Sequence, residues 1–430
     1  MRFVLFILCF FELLLFTWLR NFAGPYISPV LLLLCSLGVG FCFLKIDAST
    51  NYLVPQNANN YFGAKKRRIT AGLGIIAFLG MSWVMFDLLR NIWKIAPISM
   101  NVIQQSDVIP QIMFLVARYK AGVFPYQVIT GWGYDLFPTY LPLQWFPYFF
   151  ADWLHKDYRW VPAIVLWLAC AYFFVKNFSV HATGINLLLK IFLPLMPLLV
   201  WYAVVQNDGY TYIFTVEELI AGYYLFAATS ISNKNVLALS FGIGLCLLSR
   251  YSIVFWVPLC MLGYYWAGKR KEVLTMSVVL AFMFIAFYWF PFLRIDKGVF
   301  FKGYEYHRIA AFRDWVRGSY MHNGLGFSAY AYDFVPGNIE RKLFVYQFVH
   351  LLACVATVIA LGAFYRKRMQ CYSLSTFLLF AFKVYLTVFY MFIQTQYSYL
   401  YITPLIISSA LLVGAFRKDR DRSVLSSLGV

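Results

Sequence analysis

Apolar residues in this chain gather into long runs and do not alternate with polar ones. The runs cover roughly residues 2–19, 29–46, 70–90, 138–152, 160–175, 186–205, 211–230, 235–249, 251–267, 273–293, 341–363, 373–391 and 396–415. A membrane-crossing helix needs about 18 or more such residues. The period-two pattern of a membrane barrel is missing. The runs therefore predict an all-α polytopic membrane protein, a single integral membrane domain over 1–430 with no separate soluble domain. The shortest run, 138–152, carries Pro138, Pro142 and Pro147. That density of proline suits a re-entrant or interfacial segment lining a cavity. The pair 235–249 and 251–267 is the other irregular region. About twelve spans are expected.

Two polar stretches between the runs are long enough to build a site: a first loop, 91–137, and a second, 294–340. Basic clusters give their side. Lys65-Lys66-Arg67-Arg68, Lys269-Arg270-Lys271, Arg366-Lys367-Arg368 and Arg417-Lys418 with Arg420 and Arg422 all flank apolar runs. Such clusters mark the cytoplasmic side. An even number of crossings between the first and last clusters puts both termini in the cytoplasm and both long loops outside, in a bacterial inner or plasma membrane. The N-terminal run has the charge and length of a signal peptide. Asn21-Phe22-Ala23-Gly24-Pro25 follows it in place of a small-residue cleavage site, so a retained first span is expected.

Composition agrees with this reading. Hydrophobic residues make up 62% of the chain, against roughly 45–50% in soluble domains. The net charge of +18 would suggest nucleic acid on a soluble protein. Here the charge sits in short loops beside spans, where it is a topology signal, and no nucleic-acid partner is expected. Seven of the eight cysteines lie inside apolar runs, in no CxxC or Cys/His pattern. They read as small buried hydrophobes. No metal-ligand cluster is evident in the two long loops, so no cofactor is assigned.

The candidate chemistry is in the loops. Ser106-Asp107-Val108-Ile109-Pro110 reads as a helix start, with Ser106 as cap. Ile109, Ile112, Met113 and Val116 then form a face that can lie on the bilayer, with Gln111, Arg118 and Lys120 toward water. Asp107 has two readings. It complements the helix dipole, or it acts as a general base on a hydroxyl. Tyr126 in Gly122-Val123-Phe124-Pro125-Tyr126, and Asp135 in Gly131-Trp132-Gly133-Tyr134-Asp135, add aromatic faces and a second acid that suit carbohydrate. An interfacial aromatic belt gives the same pattern.

Further on, Glu217 and Glu218 fall about two turns into a run. Acids there face a cavity or a partner: Glu217 is a candidate acceptor or sugar contact, or it pairs structurally with a base such as Arg250. Arg250 itself lies at an outer turn, where arginine can grip a phosphate in bidentate fashion or snorkel to lipid. The second loop holds eight Lys/Arg against five Asp/Glu from 294 to 342. That excess suits a lipid phosphate. His307 and Arg308 are its candidate phosphate contacts, below a crown that includes Arg313 and Arg317. Gln394-Thr395-Gln396-Tyr397 form a polar–aromatic cluster near the last outer turn.

Asp107, the G-V-F-P-Y at 122–126 and the Y-L-P-L at 140–143 resemble the first extracytoplasmic loop of GT-C glycosyltransferases. The likeness is strongest to the mannosyltransferase-like members of family 87. Gln206-Asn207-Asp208-Gly209 is similar to a polar motif of the same fold. The resemblance implies a GT-C-like bundle and a polyprenyl-phosphate-linked sugar donor. It also implies inverting transfer to a glycan or glycolipid acceptor on the outer face, with Asp107 as the base and Gln396 and Tyr397 as sugar contacts. The chain departs from the pattern in having two additional apolar segments, 2–19 and 29–46, before this loop. A lipid-linked glycan flippase is a rival reading, as is a polymerase or ligase of undecaprenyl-pyrophosphate glycans. A flippase calls for charges along a path through the spans and for internal repeats. Here the polar chemistry collects in two outer loops.

Overall fold

The computed structural model describes residues 1–50, 64–99, 106–178, 185–212, 214–318 and 320–417. Helices dominate them, and no strand occurs among them beyond one bridge between Ile129 and Leu136. In chain order the helices are α1 (Arg2–Leu14), α2 (Arg20–Thr50), α3 (Ala64–Ile95), α4 (Val108–Lys120), α5 (Pro142–Trp145), α6 (Phe149–Trp153), α7 (Trp160–Asn177), α8 (Ile185–Tyr212), α9 (Glu217–Ser232), α10 (Val236–Leu247), α11 (Trp256–Trp266), α12 (Arg270–Phe284), α13 (Val299–Arg317), α14 (Ser328–Phe334), α15 (Ile339–Arg368), α16 (Leu374–Met391) and α17 (Ile402–Arg417). The chain is thus an all-α polytopic membrane protein. Among the described residues, eight stretches are long and apolar enough to cross a bilayer.

The first of these stretches, Arg2–Ile46, is a hairpin. Gly24 breaks it at φ 77°, a backbone state that costs glycine little, and Pro25 follows. The two arms pack against each other: the Cys35 thiol meets the Leu8 carbonyl at 3.0 Å, and Gly38 lies against Leu8. At the centre is α9, buried on every side. Gly222 lets the α7 backbone at Leu166 come close, because a Cβ there would stand 3.1 Å from it. Gly242 does the same for α10 against Ala227.

The run expected not to span, 138–152, is indeed broken, but three of the twelve runs expected to span fall short of full length. The run 138–152 is broken into α5, a 3-10 turn and α6, as its prolines require. The runs 211–230, 235–249 and 251–267 become helices of 16, 12 and 11 residues. At 1.5 Å per residue these reach about 24, 18 and 16 Å, less than the roughly 30 Å of hydrocarbon. Glu217 is the first residue of α9, not two turns inside it. α9 begins and α10 ends at one end of the bundle, at Glu217 and beside Arg250.

That end is also where the long loops lie. α12 with its π-helical continuation covers Arg270–Leu293, 24 residues from the basic turn at 269–271 to the second loop. α15 covers 30 residues from that loop back to Arg366, Lys367 and Arg368. Both lengths match or exceed one bilayer thickness. α3 likewise leads to the first loop, and α17 leads away from Tyr401 to Arg417. The side chains of Lys65 to Arg68 and residues 418–422 lie outside the described residues. The basic clusters whose side chains are described thus stand opposite the loops.

Candidate functional site

The first loop is built around Asp107, which stands at the N-cap of α4 in place of Ser106. Its carboxylate caps nothing. Instead Oδ2 accepts a hydrogen bond from the Tyr134 hydroxyl at 2.9 Å. The reach of Tyr134 is set by its loop. Gly131 and Gly133 take φ of 93° and 76°, turning the chain twice in three residues. Trp132 between them is buried edge-on against Phe114 of α4, and the bridge from Ile129 to Leu136 closes the base. Arg118 fastens the same loop, with its guanidinium donating to the carbonyls of Pro125, Gln127 and Val128. Arg118 therefore does not face open water as expected.

Nor does α4 lie on the bilayer with its apolar face. Ile109, Ile112, Leu115 and Val116 are wholly buried in the protein, and Gln111 with them. The amphipathic pattern was real, but its partner is protein, not lipid.

Glu217 and Arg250 form a two-pronged ion pair, with Nη1 of Arg250 2.7 Å from Oε2 and Nη2 bonded to Oε1. The Tyr390 hydroxyl accepts from the same Nη1 at 3.4 Å. Glu217 is buried, while Arg250 keeps 19% of its side chain exposed. Above the pair, Tyr140 and Tyr399 lie within electrostatic reach of Asp107, Glu217 and Arg250 alike. They join the first loop to the helix ends. Glu218 points elsewhere and accepts from the Trp201 indole at 2.9 Å.

The second loop supplies the opposite wall. α13 carries His307, Arg313, Asp314 and Arg317. Asp314 accepts from the Tyr397 hydroxyl at 2.5 Å, and Tyr397 stacks on Tyr399 at 5.3 Å. Tyr320 meets Tyr397 edge-on at 4.9 Å. The charges of Arg313 and Arg317 reach Tyr134, and those of Asp107 and Asp314 reach each other. His307 bonds through Nε2 to the Gln394 amide at 2.6 Å, within reach of the Arg250 charge. The amide is held in turn by Gln347 at 2.5 Å. Loops distant in sequence thus converge on one place.

Titration follows the burial. Desolvation raises the Asp107 carboxyl above its ordinary value, against the opposing hydrogen bond from Tyr134. Asp314 is raised for the same reason, with Tyr397 and Arg317 pulling it back. His307 is lowered by burial first and by Arg250 second, which favours the neutral ring.

The sequence candidates divide. Asp107, Glu217, Arg250, His307 and Tyr397 come together. Tyr126 does not face a ligand: it is buried, donates to the Tyr140 carbonyl at 2.8 Å and accepts from the Trp145 indole at 3.1 Å. Gln396 is also buried. Its amide donates to the Tyr346 hydroxyl and to the carbonyls of Met391 and Ile393. Both serve the scaffold, which corrects their expected sugar contacts. Asp135 and Arg308 are exposed beside the cluster.

The chain matches no protein-family model, no curated protein and no solved structure. The site is read from its own chemistry.

Sequence reasoning passed over Tyr134, Tyr140, Asp314, Tyr320, Gln394 and Tyr399. One signal was available. His307, Asp314 and Arg317 recur at i, i+7 and i+10, one polar stripe of a helix whose buried residues include Ala311 and Trp315.

Proposed function

We propose that this protein is an inverting membrane glycosyltransferase that uses a polyprenyl-phosphate-linked sugar and works at the membrane face bearing the two long loops. The observation that carries the reading is the state of Asp107. It is a partly buried carboxylate, held by one phenol, without an ion pair among the described residues. A base for a hydroxyl needs that condition, because a paired carboxylate is a weaker one. Across from it stand cations suited to a departing phosphate.

In this mechanism Asp107 takes the proton of an acceptor hydroxyl. The oxygen forms a bond to the anomeric carbon from the face opposite the phosphate. The carbon–oxygen bond to polyprenyl phosphate breaks, and its electron pair leaves with the phosphate. Arg313 and Arg317, neither ion-paired among the described residues, meet the developing charge. Fixed donors aimed at such charge are worth more than mobile water. Glu217 largely neutralises Arg250, so Arg250 holds position and donates hydrogen bonds more than it supplies net charge. His307, kept neutral, donates or accepts without adding charge. The aromatic wall of Tyr134, Tyr320 and Tyr399 suits a sugar face. The short helices α9 to α11, the exposed apolar sides of α12 and α15, and the motifs at 107, 122–126 and 140–143 agree with a GT-C-like arrangement and a mannose-type donor.

The test is transfer of labelled sugar from synthetic polyprenyl-phosphate mannose, then from other polyprenyl-phosphate sugars, by purified protein. Asp107→Asn is expected to abolish transfer. The variant should still fold, since asparagine also accepts from Tyr134. A carboxyl raised on folding binds more protons in the native state, so its penalty grows as pH climbs from the ordinary value through the raised one. Asp107→Asn removes that penalty and should match or exceed the parent in Tm at neutral pH. Retained turnover would move the base to Asp314. No transfer from any donor by folded parent protein would overturn the class.

A further inference from the structure

A second polar cavity of about 240 Å³ lies between the turn of the first hairpin and the second loop. Arg20, Asn21, Gly24, Pro25, His322 and Asn323 line it. The turn and the loop are fitted to each other. A Cβ at Gly324, where φ is 75°, would lie in van der Waals range of Ser28 and of the carbonyls of Arg20 and Gly24. The Tyr330 hydroxyl donates to the Tyr26 carbonyl at 2.8 Å. Tyr26 and His322 both bond to Asp333, at 2.6 and 2.7 Å.

The polar groups of this cavity are mostly donors. Nε and Nη1 of Arg20 are buried and have no hydrogen-bond partner. A guanidinium has no acceptor and is not deprotonated in proteins. Burying its N–H groups unpaired costs free energy that a bound acceptor would recover. Asn323 spends its carbonyl oxygen on the Leu325 amide at 3.1 Å, which leaves its NH2 group as the free end. Asp333 accepts from Nε2 of His322, so Nδ1 faces an anion as a donor only in the doubly protonated ring, the form an adjacent carboxylate and a bound anion both favour. The carboxylates nearby are engaged: Asp333 as above, and Asp208 with the Ser398 hydroxyl at 3.2 Å.

We infer that this cavity binds a phosphate-type oxyanion, with the Arg20 guanidinium as the charged fork and Asn323 and His322 as flanking ligands. Planar, two-pronged recognition of phosphate is what arginine does best. Phosphate oxygens accept and do not donate when ionised, which matches the inventory of the cavity. The anion has two sources, a phospholipid head group or a phosphate on a soluble or lipid-linked substrate. Trp18, Phe22 and Ile27 are exposed around the turn, as a site at a membrane surface requires. The inference does not depend on the glycosyltransferase reading.

The experiment is thermal unfolding of the purified full chain in a zwitterionic detergent. One arm titrates inorganic pyrophosphate against sodium chloride at equal ionic strength. The other titrates short-chain phosphatidylglycerol against phosphatidylcholine. A saturable rise in Tm is expected in at least one arm. Pyrophosphate alone would assign a substrate phosphate, phosphatidylglycerol alone a lipid head group, and both the shared chemistry. Arg20→Gln and Asn323→Leu should each abolish the rise. Without ligand, Arg20→Gln should unfold at or above the parent temperature, because it removes an unpaired buried cation. A structural role for Arg20 would lower it instead. No rise in either arm, or a rise that survives both substitutions, would overturn the inference.

Discussion

Glu12–Lys383 and Glu217–Arg250 are two carboxylate–cation pairs of the bundle that differ in their access to a ligand. Glu12 of α1 and Lys383 of α16 meet at 2.6 Å with both side chains fully buried. Ser36 and Tyr401 share one Glu12 oxygen with the lysine, Ser408 takes the other at 2.5 Å, and Lys383 also donates to the Pro404 carbonyl at 2.9 Å. Little is left over for a ligand. The pair ties the N-terminal hairpin to α16 and α17, across 371 residues of chain. Glu217 and Arg250 make an equally direct contact, but Arg250 keeps 19% of its side chain exposed, within electrostatic reach of Tyr140 and Tyr399. The chemistry is the same and the access is not. Polar groups within a membrane protein are functional candidates by default, and exposure of Arg250 leaves only one of these pairs open to a ligand. The other is a lock.

The comparison is most sharply broken by cutting each pair on one side. Lys383→Met leaves Glu12 charged and buried without a counter-ion. Such cuts cost about 3–5 kcal/mol. We expect that loss in a denaturant titration of the detergent-solubilised protein, with much of it recovered in Glu12→Gln/Lys383→Met. Equal stability of the single variant and the parent would show that the lock is not one. Arg250→Gln should do the reverse. Water can reach Glu217 through the exposed side of the pair, so the loss of stability should be smaller. Transfer from the lipid-linked donor should fall by about 10²–10³, the cost of one donor at a developing charge. If Arg250→Gln unfolds the protein and a folded fraction still turns over normally, both pairs are structural.

This contrast also shows how far the chain could be read before it was folded. The helices, the two loops and the end of the bundle that carries them follow from apolar runs and basic clusters. So do Asp107, Glu217 with Arg250, His307 and Tyr397. The misreadings share one cause. Periodicity reports that a face is apolar, but not whether lipid or protein covers it. Ile109 and Ile112 looked like a bilayer-facing stripe and are core. On α13 the opposite holds: Phe312 and Val316 are exposed, and the site stripe through Asp314 was overlooked. Gln396 looked like a ligand because it is polar, yet it satisfies carbonyls left over where α16 ends, at Met391 and Ile393. Pairing among backbone orphans cannot be seen before the helix ends are placed.

A smaller effect is expected at Tyr134, which tunes the open site without carrying charge. Tyr134→Phe removes the hydrogen bond that favours the ionised form of Asp107, while the desolvation that raises its pKa remains. The pKa therefore rises further. A base works only when deprotonated, so the rising limb of the pH–rate profile should shift to higher pH, with the plateau largely retained. A hydrogen bond to a charged group is worth about 1.5–3 kcal/mol, which sets the scale of the shift. An unmoved limb would mean that the titrating group in that limb is not Asp107.

The smallest effect separates the two kinds of tyrosine in the first loop. Tyr126→Phe deletes one hydroxyl that bridges the Tyr140 carbonyl and the Trp145 indole, and keeps the ring against Phe292. Losing an ordinary hydrogen bond costs about 1 kcal/mol, and here two partners lose theirs together. The Tm should fall modestly. Transfer, measured below the unfolding range, should keep its pH profile and its KM for the lipid-linked sugar. If KM rises while Tm is unchanged, Tyr126 touches substrate after all, and the loop must open enough to present a side chain that is now only 4% exposed. A change in Tm without a change in KM leaves it where the packing puts it, as the post that sets Tyr140 over the ion pair.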